Sequence, residues 1–264
     1  MKKTINFNVK YLFLILLVSF FSSSLKAGLK IYFIRHAEAG HNVVKEWEKI
    51  PKSAWPAYVG NGDLLTPKGE LQKVEAAQKL QKFHFDFIAA SPSLRARKTI
   101  LPYLELKGIK SEIWPELNEY SSYAKQLLSD SLPTHVNSIL NTGSKIVLTK
   151  EDSVYFILRN DGQRTYKFTS KKEDEVAYSS EIKFVIKSLV DRILLKYGGS
   201  NKSVLLASHG NIGKDLLKYL INDRMEKTEA IGNTKIWMVE QQKDGSFKLK
   251  MYNDIPVENS KGKQ

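Results

Sequence analysis

An α/β fold is predicted by short apolar runs that stop abruptly at chemistry-bearing residues and give way to loops or helical patterns. Ile31, Tyr32, Phe33 and Ile34 end at Arg35-His36. Residues 85–90 (FDFIAA) run into Ser91-Pro92, and residues 203–207 (SVLLA) stop at Ser208-His209-Gly210. Runs of this length and β-leaning composition read as buried strands. In an open α/β sheet, ligands bind beyond the carboxyl ends of strands. The pattern therefore gathers a guanidinium, two imidazoles and a hydroxyl along one sheet edge, with Arg95 in the first turn of the following helix. A helix N-terminus with an added cation is a phosphate-binding environment.

The amino terminus reads separately. Lys2, Lys3 and Lys10 precede an unbroken apolar run, residues 11–21, followed by small residues up to Ala27. That order is the layout of a secretory signal peptide, and the run is short for a membrane span. The expectation is that residues 1–27 are removed and that the mature chain is periplasmic or secreted, with no stable membrane insertion. An uncleaved anchor is the alternative. The chain has no cysteine, which excludes disulfides and a thiol nucleophile. Loss of residues 1–27 lowers the net charge from +13 to +9, because four lysines and no acid go with them. Such a basic surface favours anionic partners. No nucleic-acid fold signature or aromatic-interleaved basic repeat is present, so nucleic acid is not expected as a partner. The length suits one domain, residues 28–256, with an insertion at 121–180 and a frayed tail at 257–264.

Residues 43–65, with Trp47 and Trp55, form a long loop of the kind that often covers a site. Thr66-Pro67 marks a helix start, with Leu71, Val74, Ala77 and Leu80 as its apolar face. Ser91 is expected to cap a helix that Pro92 begins, with Arg97 and Lys98 facing solvent. Residues 109–114 read as a strand leading to Glu116 and Glu119, two carboxylates that suit either capping or acid–base roles. Within 121–180, residues 145–149, 153–158 and 165–169 are β-rich, and Asn160-Asp161-Gly162 signals a hairpin turn. The run 171–175 reads as a solvated link. Ser180 is expected to cap a helix that Gly198-Gly199 ends, with Ile182, Val185, Leu189, Ile193 and Tyr197 on one face. Residues 211–221 resume a helical pattern. Residues 236–240 and 247–252 close the chain as a hairpin.

Five motifs occur in order: Arg35-His36-Ala37-Glu38 with Asn42, Leu65-Thr66-Pro67-Lys68-Gly69, Ser91-Pro92-x-x-Arg95-Ala96-x-x-Thr99, Leu117-Asn118-Glu119, and Ser208-His209-Gly210-Asn211. In these the chain resembles the histidine phosphatase superfamily, the phosphoglycerate mutase-like group. The resemblance implies a three-layer α/β/α sandwich with a mostly parallel central sheet, carrying a small β-rich insertion. It implies that His36 is a nucleophile forming phosphohistidine, and that Arg35, Arg95 and His209 make the phosphate pocket. Asn42 is a further substrate contact, and Glu119 is the proton donor. It implies phosphomonoester hydrolysis of a small phosphorylated substrate with no metal and no cofactor. A non-catalytic phosphate-ligand sensor, or a phosphotransferase or mutase, is the alternative. Two departures stand out. Ala37 replaces the family's usual glycine, and Tyr120-Ser121-Ser122-Tyr123 does not match the mutase-type sequence after Leu-Asn-Glu. Glu116 and Glu38 remain rival acids, and His41, His84 and His135 read as structural or surface residues, with His41 near enough to line the pocket mouth.

Overall fold

The computed structural model describes residues 28–120, 143–170, 174–222 and 229–257. The expected signal segment, residues 121–142 of the expected insertion, and residues 258–264 lie outside them. Eight strands form one sheet in the order β4-β3-β2-β5-β1-β6-β7-β8. They are β1 Lys30–Arg35, β2 Phe87–Ala90, β3 Ser111–Ile113, β4 Phe156–Leu158, β5 Ser203–Ser208, β6 Ile236–Gln241, β7 Phe247–Tyr252 and β8 Ile255–Pro256. The five strands from β4 to β1 are all parallel, and β6, β7 and β8 continue antiparallel.

Side chains alternate across a strand, and β1 uses both faces. Leu29, Ile31 and Phe33 meet one helical layer, α3 (Glu175–Tyr197) and α4 (Gly210–Leu220). Tyr32 and Ile34 meet the other, α1 (Pro67–Leu80) and α2 (Leu94–Lys107). The result is a three-layer sandwich whose parallel strands are buried on both faces. Phe33 stacks on Trp237 at 5.0 Å. A Cβ at Gly213 would lie 2.3 Å from the Phe33 ring, so the absence of a side chain there lets α4 approach the sheet. Among the described residues, no helix is long and apolar enough to cross a membrane.

Several local expectations are corrected. Thr66 does cap α1, its hydroxyl accepting from Gly69 N at 3.0 Å. The buried face, however, is Gly69, Ala76, Ala77 and Leu80, whereas Leu71 and Val74 are exposed. Gly69 sets this rotation: its Cα packs so close to Glu38 that a Cβ would sit 2.0 Å from the Glu38 carbonyl oxygen. Helix α2 starts at Leu94 with Ser93 at the N-cap, which frees Ser91 for another use. Arg97 is buried rather than solvent-facing, pairing with Asp152 and lying over the Phe156 ring, while Lys98 is half-buried.

Within residues 143–170 only Phe156–Leu158 joins the sheet, as a parallel edge strand beside β3. Residues 152–155 are helical, and Lys145 makes an isolated bridge to Arg164. The Asn160-Asp161-Gly162 turn forms, but Asp161 is drawn to Arg159 and Arg192 instead of closing a hairpin. Helix α3 begins earlier than expected, with Asp174 capping through Ala177 N at 3.0 Å, and Ser180 bonds back to the Val176 carbonyl. Gly198 and Gly199 end it, Gly199 at φ +68°. The closing hairpin forms as read.

Candidate active site

The parallel register pairs Arg35 with Ser208, so the carboxyl ends of β1 and β5 lie side by side. His36 follows immediately, its N–H donating to the Ser208 carbonyl at 2.9 Å, while Asn233 Nδ2 donates to the His36 carbonyl at 2.9 Å. This brings the His36 and His209 rings to a centroid separation of 5.2 Å. A short helical turn, Gly40–Val43, then carries His41 and Asn42 to the same edge. The turn is tied to the loop above it by Gly40 N–Leu64 O (2.9 Å) and Gly60 N–Gly40 O (3.0 Å). A Cβ on Gly40 would fall 1.4 Å from the Tyr58 carbonyl oxygen.

A cavity of about 400 Å³ opens here, lined by Arg35, His36, His41, Asn42, Arg95 and Glu119, with an outer rim that includes Asn211, Lys214, Ile231 and Tyr252. Five of the six residues expected at the site line it. The sixth, His209, is fully buried behind them in contact with His36. Glu116 lies outside the lining, held by Arg159 at 2.7 and 3.0 Å. Glu38 is also outside it, bonded to Thr66 Oγ1 and Lys68 at 2.8 Å each. His84 is a surface residue near Asp86, and His135 lies outside the described residues.

Each polar group has a definite state. His36 Nδ1 lies 2.7 Å from the Ala37 carbonyl, which can only accept. The hydrogen is therefore on Nδ1, and Nε2 keeps its lone pair. Burial, then Arg95 and Arg35, hold the ring well below the usual histidine range, so it stays neutral. Ser91 Oγ is 2.8 Å from His209 Nε2 and 3.4 Å from Asn118 Oδ1. Donation of the Ser91 proton to Nε2, the nearer of the two, leaves the hydrogen of His209 on Nδ1. His209 is likewise held neutral, first by burial and then by Arg95.

His209 Nδ1 and Arg35 Nε are buried with no partner among the described residues. Buried donors in native proteins are nearly always satisfied, so one orphan in the cavity lining and one just behind it point to an acceptor-rich ligand. Arg35 Nη1 is fixed on the Ile231 carbonyl at 2.7 Å, and Arg95 Nη1 on the Gly62 carbonyl at 3.2 Å. Asn42 Oδ1 accepts from Ala39 N at 3.0 Å, leaving its NH₂ as a donor. The Glu119 carboxylate accepts from Tyr120 N (3.1 Å) and from Asn211 N (3.3 Å) at the start of α4. Burial nevertheless raises it above the ordinary carboxyl range, against the opposing pull of Arg95 and those N–H groups. A neutral imidazole with a free Nε2, two fixed guanidiniums and a carboxyl inclined to protonate can carry out phosphoryl transfer.

Residues 31–127 match the model of the histidine phosphatase superfamily, branch 1. The match runs from β1 to just beyond Glu119 and does not extend to the rest of the chain. By sequence, no curated protein matches it significantly. Among solved structures it is similar to a mycobacterial glucosyl-3-phosphoglycerate phosphatase complexed with VO3, at 17% identity and a TM-score of 0.51 over 85% of this chain and 98% of that one. It is also similar to an Escherichia coli protein provisionally assigned as an alpha-ribazole-5'-P phosphatase, at 18% identity and a TM-score of 0.51 over 88% and 100%. These likenesses establish the fold, the mostly parallel sheet of a phosphoglycerate mutase-like sandwich.

Ala37 fits where the resembled family usually has glycine because its φ is not positive. Its N–H donates to Thr99 Oγ1 at 2.8 Å, and Thr99 in turn donates to the Arg95 carbonyl at 2.7 Å. The motif threonine thus links the nucleophile loop to the helix bearing Arg95. The rim residues Ile231 and Tyr252 carried no sequence signal. They reach the site because β6 runs antiparallel to β1, so that its start and the end of β7 return to the same edge.

Proposed function

We propose that this protein is a histidine phosphatase, an exported phosphomonoesterase that works through a phosphohistidine on His36. The observation that carries this is the bare Nε2 of a neutral His36 in a cavity shared with Arg35, Arg95 and Glu119. In the first half-reaction the Nε2 lone pair attacks phosphorus, and the bond to the ester oxygen breaks. Protonated Glu119 gives its proton to the departing alkoxide. In the second, water attacks phosphorus, the P–N bond breaks, and the Glu119 carboxylate takes the water's proton. Arg35, Arg95 and His209 Nδ1–H hold the non-bridging oxygens and offset charge in the transition state. This scheme places the needed positive charge on protein side chains and assigns no step to a metal. Export rests on the signal-like residues 1–27, and the phosphorylated small molecules for which the two structural relatives are named support a substrate of that class.

The test is phosphate release from para-nitrophenyl phosphate by the mature chain and by His36→Ala, with chelator present. Release by the wild type that disappears in the variant is the expected result. Activity persisting in His36→Ala would overturn the mechanism, and no release by folded wild type across acid and neutral pH would favour a binding role.

A further inference from the structure

His36 is flanked by two imidazoles, not one. The His41 ring lies at a centroid distance of 5.2 Å and a tilt of 58°, the same values as His209. His41 lines the cavity beside Arg35 and Arg95. Its place is fixed by the backbone rather than by chance packing, because the Gly40–Val43 turn is clamped to residues 58–64 and Gly40 has no room for a side chain. We infer that His41 is a phosphoryl-contacting residue, its imidazole N–H donating to a non-bridging oxygen alongside the guanidiniums and His209. This rests on the phosphate-site reading above.

The chemistry of the surroundings favours that role. Burial, Arg95 and Arg35 keep His41 neutral, with its pKa lowered to about 2. A neutral imidazole always retains one N–H. A phosphomonoester dianion is already matched in charge by two guanidiniums, so a further neutral donor adds direction without excess positive charge.

Phosphate affinity is separable from turnover, so calorimetric titration with inorganic phosphate is combined with vanadate inhibition of para-nitrophenyl phosphate hydrolysis and with thermal melts. The proteins are wild type, His41→Phe, which keeps a ring but no donor, and His41→Asn, which keeps a donor. The expected result is that His41→Phe melts near wild type yet binds phosphate and vanadate about ten- to a hundredfold more weakly, as loss of a hydrogen bond to a charged group predicts. His41→Asn should stay within about tenfold of wild type. Should His41→Phe not fold, His41→Ala against His41→Asn reads the same difference. Unchanged phosphate and vanadate affinity in His41→Phe would overturn the inference, as would equal losses in Phe and Asn variants. A wild type that binds phosphate without turnover, and loses it in His41→Phe, would remove the phosphatase reading and keep this one. A wild type that does not bind phosphate would remove both.

Discussion

His36 Nδ1 donates to the carbonyl oxygen of its own neighbour, Ala37, at 2.7 Å. That bond fixes the tautomer, and the buried ring beside Arg95 and Arg35 resists a second proton. A ¹⁵N NMR titration should show His36 with a protonated Nδ1 and a bare Nε2 at pH 7, unchanged down to pH 5. A transition near the model-peptide value of about 6.5 would contradict the geometry.

Glu119 should govern the alkaline limb of the rate profile. Its pKa is raised by burial, so the acid form required for leaving-group protonation is lost as pH climbs through that raised value. Glu119→Gln should lower kcat/KM, which reports the first half-reaction alone, by about 10²- to 10⁴-fold on an alkyl phosphate. The loss should be much smaller for para-nitrophenyl phosphate, whose phenolate leaves without help. Equal losses on both substrates would count against a proton-donor role.

Stability should fall on the acid side. His36, His41 and His209 have folded pKa values depressed below the unfolded one. Their contribution is present above pH ~6.5 and lost as pH drops below it, because only the unfolded chain takes up the protons. Each proton steepens the dependence by about 1.4 kcal/mol per pH unit, and Glu119 offsets up to one of them above its unfolded value. Denaturant titrations from pH 7 to 5 measure this slope. A flat profile would show that these rings are not buried neutral.

The strand ends were readable in the sequence because an apolar run broken by Arg-His or Ser-His leaves little choice of register. The misreadings share a cause, which is that a partner distant in sequence overrode the local signal. Ser91 looks like a cap until His209, 118 positions on, takes its hydroxyl. Leu71 and Val74 look like a core face until Gly69 docks on Glu38 and turns the helix. Arg97 looks solvated until Asp152 arrives with the edge strand. His41, by contrast, reads in the sequence as close enough to line the pocket mouth, and the clamped Gly40 turn brings it into the cavity lining.

Glu116 and Glu119 offer a contrast that separates architecture from chemistry. Glu116 receives both Arg159 Nη groups, and Arg159 also lies over the Trp114 ring at 5.3 Å. Both members of the pair are largely buried, with side chains 13% and 11% exposed, and removing Glu116 leaves Arg159 with Asp161 as its remaining carboxylate partner. Glu116→Ala should therefore destabilise the fold by about 2 kcal/mol, below the range for a stranded buried charge because Asp161 and some solvent still reach Arg159. The same segment continues through Leu117 to Glu119, and the Leu117 carbonyl accepts from Ser208 Oγ at 2.5 Å, which holds the segment on β5 without Glu116. At a temperature where both proteins are folded, kcat/KM for Glu116→Ala should thus stay within about tenfold of wild type. Chemical denaturation and steady-state kinetics on one preparation decide it. A loss of kcat/KM as large as that of Glu119→Gln, with little change in stability, would move the acid role from Glu119 to Glu116.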